Sequence, residues 1–371
     1  MDGLAQALLP HPIHIMNPTT RSLALAAFCS LHGMALADVP EPNMDDRGYV
    51  TFYLDNDLFA GEDRDYTNGA RLTWISPGRP ADELEGLQKY FRLLSGDTES
   101  YDSFQKITGF DNPHDVVFNY GFSLTQQMYT PQDFLPYAQP LYQRRYAGWL
   151  GVGVSLHAKD DRVLNSVELS LGTTGENSFA ETTQDFIHEL RDVEKFNGWD
   201  QQIPGEFTVD LSFIQKRRID LARLGYGVIR VDGVGTWGVR LGTFRTEAQL
   251  GGMFRVGYNL PPDFSDPQLS STAYAHRYFD SGLEYDSPWS VFFLFGGGVR
   301  GVLHDASIDG PMFRDFKTGI DRRPLVGEVY AGFGVRYRDI EFSYAHTLRT
   351  EEYRTQRGTA AFGTLAIRLR Y

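Results

Sequence analysis

Residues 365–371 read Leu-Ala-Ile-Arg-Leu-Arg-Tyr, with apolar side chains at every second position and small or charged residues between them. A strand sends successive side chains to opposite faces. Leu365, Ile367, Leu369 and Tyr371 therefore share one face, and Ala366, Arg368 and Arg370 share the other. A strand buried on both sides has no room for a charged face. A transmembrane β-barrel does, because lipid-facing and lumen-facing residues alternate along each strand. The pattern predicts a strand with lipid on one side and water on the other. An edge strand of a soluble sandwich is the alternative.

The alternation recurs along the chain. Val50, Phe52 and Leu54 share a face, as do Ala70, Leu72 and Trp74. Further strands are expected at 116–128, 147–157, 166–172, 208–215, 222–231, 236–243, 252–258, 273–285, 291–302, 326–337, 341–348 and 359–371. Merged, these make about a dozen strands, each near the ~10 residues of a tilted membrane strand. The prediction is all-β: an antiparallel transmembrane β-barrel of about twelve strands, in a single domain over residues 38–371. Composition agrees, with 26 Phe, 20 Tyr and 5 Trp for interfacial girdles and 38 Gly for tight turns and a crowded wall. The net charge of −13 argues against a nucleic-acid partner and suits a surface or lumen that holds a cation.

The N-terminal segment predicts export. Arg21 precedes an apolar run over 22–37 that closes on Ala35-Leu36-Ala37 before Asp38. That is the layout of a secretory signal peptide over 1–37, with Met16 as an alternative start. The single cysteine, Cys29, lies inside it. Removal of the segment would leave no thiol for a disulfide, a thiolate metal site or a nucleophile.

Two segments break the strand pattern. Residues 81–90 suggest a short helix. Residues 178–196 predict a longer one, opened by a Ser178–Glu181 capping box and carrying an apolar stripe of Phe186, Leu190 and Val193. Gln184, His188 and Asp192 lie on its other side. His188 is a candidate proton acceptor, although a solvent-facing histidine fits the same spacing. The densest polar cluster runs from Asp55, Asn56 and Asp57 to Asp63, Asp65, Thr67 and Asn68. Its hard oxygen donors suit Ca²⁺, and a solvated acidic hairpin loop is the alternative. His114, His157, His276, His304 and His346 have no zinc-type i, i+4 partner, and there is no Gly-x-Ser-x-Gly elbow, phosphate loop or dinucleotide fingerprint.

Asn56-Asp57 followed by Asp63-Arg64-Asp65-Tyr66-Thr67-Asn68-Gly69 resembles the opening motif of the outer-membrane lipid A 3′-O-deacylases. The likeness continues through Ser123–Pro131, Arg145–Trp149, Ile187-His188, Gly198–Gln202, Gly242–Thr246 and Thr350–Tyr353. The terminal aromatic, Tyr371, is likewise similar to the last residue of bacterial outer-membrane proteins. The resemblance implies a twelve-stranded barrel in the outer membrane and a Ca²⁺-dependent hydrolysis of the 3′-acyloxyacyl ester of lipid A. A monomer in outer-membrane lipid is expected. Carried over by residue, the family's Asn-Asp pair falls on Asn56 and Asp57, its Thr-Asn on Thr67 and Asn68, and its helical histidine on His188. The following acid falls on Glu194, with Glu181 and Glu189 as alternatives, and a wall lysine on Lys106. Gln143-Arg144-Arg145 departs from the family's Asp-Arg-Pro. The implied metal ligands are Asn56, Asp57 and Glu194, with His188 as general base to a water nucleophile. An outer-membrane phospholipase and a non-enzymatic pore or binding module are the competing readings.

Overall fold

Aromatic and β-branched residues at alternate positions favour a pleated surface with two unlike faces, and the chain builds its wall from them. The structure is a computed structural model that describes residues 43–44, 47–57, 65–80, 108–110, 116–133, 139–192, 194–225, 227–264, 279–280 and 287–371. The expected signal segment, the helix at 81–90, Lys106 and most of the strand at 273–285 lie outside these residues.

Twelve long strands form the wall: β1 Tyr49–Asn56, β2 Asp65–Ile75, β3 Val117–Thr130, β4 Ala147–Lys159, β5 Val163–Thr174, β6 Phe207–Leu224, β7 Ile229–Gly242, β8 Arg245–Tyr258, β9 Trp289–Asp305, β10 Leu325–Tyr337, β11 Ile340–Arg349 and β12 Ala360–Arg370. Each pairs antiparallel with its neighbours in sequence. β12 closes on β1, from Gly363 opposite Asn56 to Arg370 opposite Tyr49. Closure removes the free edges of the sheet.

The expected strand at 222–231 spans two strands instead. β6 ends at Leu224, β7 begins at Ile229, and Gly225 turns the chain at φ 58°, where a side chain would be strained. Apolar residues continue through this turn, so alternation alone does not mark it. Likewise β6 runs nine residues past the expected end at 215, and β8 starts at Arg245 rather than 252.

The outward face of the wall is apolar: Phe122, Leu124, Val152, Val154, Phe254 and Phe293 are all exposed. The inward face carries the charges, but they do not meet open water as expected. They are buried in Arg–carboxylate pairs: Arg71–Glu168 at 2.7 Å, Arg240–Asp210 at 3.1 Å, Arg255–Asp232 at 2.6 Å and Arg368–Glu341 at 3.0 Å. Guanidinium forks match carboxylates in geometry, so a lumen narrow enough to exclude water can still satisfy its charges.

At the end of the barrel opposite Tyr371, the pairs converge on Glu352, in the loop between β11 and β12. Its carboxylate lies 3.3 Å from Arg144, 3.5 Å from Arg349 and 3.7 Å from Arg300. Arg144 also donates to Ser307 and stacks over the Tyr129 ring. The central residue of the departure at 143–145 thus ties three loops into the lumen. Burial alone would raise the Glu352 carboxyl, but Arg349, Arg144 and Arg300 outweigh it and hold it below the usual carboxylate range. A lowered folded value contributes stability that is fully present above the ordinary carboxylate value of about 4.3 and is lost as pH falls through the folded one. Glu352→Gln should therefore destabilise the barrel by about 3–5 kcal/mol at neutral pH, the cost of breaking a buried pair. The gap from wild type, read as the temperature at which heat-modifiable gel mobility is lost, should shrink below pH 4 or so.

Candidate active site

β1 ends at Asn56 with its faces still alternating. Tyr53 and Asp55 are buried inward, whereas Phe52 and Asn56 lie on the outward face. Asp57, the next residue, is only 1% exposed. Asp55 and Asp57 are therefore not part of a solvated acidic loop; Asp55 accepts a hydrogen bond from the Tyr66 hydroxyl at 3.0 Å.

The register of β2 breaks between Tyr66, opposite Tyr129, and Asn68, opposite Met128. Thr67 is the extra residue of a β-bulge. In an unbroken strand Tyr66 and Asn68, two residues apart, would share a face. With the bulge, Tyr66 is buried inward against Tyr129 and Phe362 while Asn68 joins the outward row. That row crosses four strands: Asn56 opposite Asn68, Asn68 opposite Met128, and Met128 opposite Gly148.

A helix sits at the far end of this row. α1 spans Ala180–Arg191, shorter than the expected 178–196. Its N-cap is Phe179 in the left-handed region, and no side chain caps it, so the expected capping box does not form. The Ser178 hydroxyl donates to the Gly175 carbonyl and accepts from the Ala180 N–H at 3.4 Å rather than from Glu181, and the Ser178 carbonyl accepts from Gln126 on β3 at 2.7 Å. A Cβ on Gly148 would collide with the Ser178 Oγ and come within 2.5 Å of the Ala180 Cβ. Only glycine allows the helix to start this close to the wall.

α1 turns its Gln184–His188 side to the wall and its apolar stripe outward. Gln184 and His188 are buried, and His188 is 6% exposed, whereas Phe186 and Leu190 point away from the protein at 64% and 74% exposure. The solvent-facing alternative for His188 does not hold. Asp192, at φ 54°, ends the helix with its N–H on the carbonyls of His188 and Glu189. The chain doubles back, and the Glu194 main-chain oxygen meets His188 Nδ1 at 2.7 Å. A carbonyl only accepts, so the imidazole proton is on Nδ1 and Nε2 is the basic nitrogen. The ring also sits edge-on to Phe196, 4.7 Å between centroids. Phe196 and Trp199 form one buried cluster with Met128, Tyr146 and Ala180, and Trp199 Nε1 donates to Gln184 at 2.8 Å. His188 is thereby tied through Phe196 to the Met128 position of the row that ends at Asn56.

The family model described as Outer membrane protein LpxR matches residues 23–371. The chain belongs to the LpxR family. This LpxR-family barrel resides in the bacterial outer membrane. No curated protein sequence matches the chain. Among solved structures it is similar to LpxR from Salmonella typhimurium, at 15% identity and a TM-score of 0.65, over 86% of this chain and 99% of that one. It also matches the β domain of the Bordetella autotransporter BrkA at 8% identity and TM-score 0.40, covering 87% and 98% of the two chains. The translocator domain of NalP from Neisseria meningitidis matches at 9% identity and TM-score 0.36, covering 95% and 98%.

Asn56, Asn68 and the Thr67 bulge thus share the outward rim with α1, and Asp57 is buried at its edge. The Glu194 side chain is exposed, so the contact of this residue with His188 runs through its backbone. Glu181 is also exposed; burial, then Asp185, Asp200 and Glu176, raises its carboxyl. Among the described residues no group of three or more His, Cys, Asp or Glu side chains is arranged to hold a metal. The donor chemistry of Asn56, Asp57 and Glu194, one amide and two carboxylates, nevertheless fits Ca²⁺, whose sites also take amide and main-chain oxygens. Phe196, Trp199, Gly148 and Gln126 carried no predicted role. Gly198–Gln202 was legible only as a family motif, and its Trp199 proves to pack beneath α1.

Proposed function

We propose that this protein is a hydrolase that removes the 3′-linked acyloxyacyl group from lipid A. The observation that carries the reading is His188, buried at the outward rim with Nε2 as its basic nitrogen. In this reading Nε2 takes a proton from a water molecule as its oxygen attacks the ester carbonyl carbon. The tetrahedral adduct collapses, the carbon–oxygen ester bond breaks, and His188 returns the proton to the departing alkoxide. The Glu194 carbonyl keeps the ring in the productive tautomer throughout. Asn56, Thr67 and Asn68 orient the ester on the wall. Asn56, Asp57 and Glu194 would hold Ca²⁺, which when bound supplies Lewis-acid polarisation of the carbonyl.

The competing readings fit less well. A serine phospholipase needs a hydroxyl beside His188, yet Ser123 and Ser170 face the lumen and donate to Glu168. A pore needs an open lumen, and this one is filled with ion pairs.

The test is mass spectrometry of lipid A from cells with and without the protein. Loss of the 3′-acyloxyacyl mass only when the protein is expressed supports the reading, and an unchanged spectrum overturns it. Chelation with EGTA should abolish release of the chain by the purified protein, and excess Ca²⁺ should restore it.

A further inference from the structure

We infer that α1 is a membrane-contact element: its outer face, Phe179, Phe186 and Leu190, lies among the acyl chains of the outer leaflet. This goes beyond the hydrolase reading and does not depend on it.

The three residues recur at i, i+7 and i+11, so they share one stripe of the helix. All three are exposed, and Phe179 holds a left-handed backbone at φ 56°, which is uncommon for a bulky residue. A helix on a water-bathed surface turns such a stripe inward. Here the inward stripe is Ala180, Gln184 and His188, and among the described residues none covers the apolar side. Asp185 and Glu189 lie on a flank of the helix, where Lys195 reaches them at 3.3 Å and 3.8 Å. An apolar stripe beside a charged flank is the composition of a helix lying in a membrane interface.

Lipid is the occupant because the stripe continues the lipid-facing belt. The belt's last row runs Leu150, Thr173, Phe207 across β4, β5 and β6, with Phe207 exposed. Gly148, on which α1 starts, is two residues further along β4, roughly 7 Å. The helix packs on the outward faces of Gln126, Met128 and Gly148, so its uncovered side looks laterally, in the same direction as the belt.

The test uses the full chain with Cys29→Ser, refolded into vesicles of phosphatidylethanolamine and phosphatidylglycerol. Nitroxides are attached at Phe186→Cys, Leu190→Cys and, on the charged flank, Glu189→Cys, each first checked for heat-modifiable mobility. Collision with oxygen should exceed collision with a water-soluble nickel chelate by at least threefold at 186 and 190, with the reverse at 189. Nickel-dominated or equal collision rates at 186 and 190 overturn the inference. So does protection from both reagents, which would indicate a protein on this face. If the change at 186 disturbs folding, Leu190→Cys alone decides, because its side chain touches less of the wall.

Discussion

His188→Ala should lower the rate of acyl release by about 10²–10⁴-fold, the usual contribution of a positioned acid–base group. The barrel should remain intact. His188 belongs to a helix laid on the outside of the wall, and the twelve strands close without it. Heat-modifiable mobility of the variant should therefore match wild type while activity is lost. A folded variant that released the chain at the wild-type rate would remove histidine from the mechanism.

Gly148→Leu should be nearly as damaging, although the residue carries no chemistry. Any side chain there meets Ser178 and Ala180, so α1 must lift from the wall. A displacement of about 1 Å at a catalytic group costs on the order of 10²-fold. Gly148→Ala should show a smaller loss, since one methyl demands a smaller shift. Both variants should keep the barrel, because position 148 faces outward and leaves the β3–β4 hydrogen bonds untouched. Amide exchange in residues 180–191 should quicken in step with the loss of activity. Unchanged exchange and activity in Gly148→Leu would mean that the helix tolerates the side chain, and that its close seat on the wall does not matter.

Much of this was legible in the sequence. Alternation at 50–54, 70–74 and 365–371 is a period-2 signal with unlike faces, and only a barrel in lipid accommodates many such strands. Asn56, Thr67, Asn68 and His188 could be named from a run of family motifs in the right order. What the sequence did not determine is which face of each element meets which neighbour. Periodicity placed Phe186 and Leu190 on one side of α1 and His188 on another, but a hydrophobic stripe turns inward in water and outward in lipid. Only the seat of the helix on Gly148 decides between them. Nor does spacing reveal that the bulge at Thr67 sends Tyr66 inward and Asn68 outward, because one extra residue inverts the parity of everything beyond it. The tautomer of His188 depends on a carbonyl six residues away, brought back by the left-handed turn at Asp192. The packed charge of the lumen depends on pairs such as Arg71–Glu168, which lie far apart in the chain and meet only when the sheet closes.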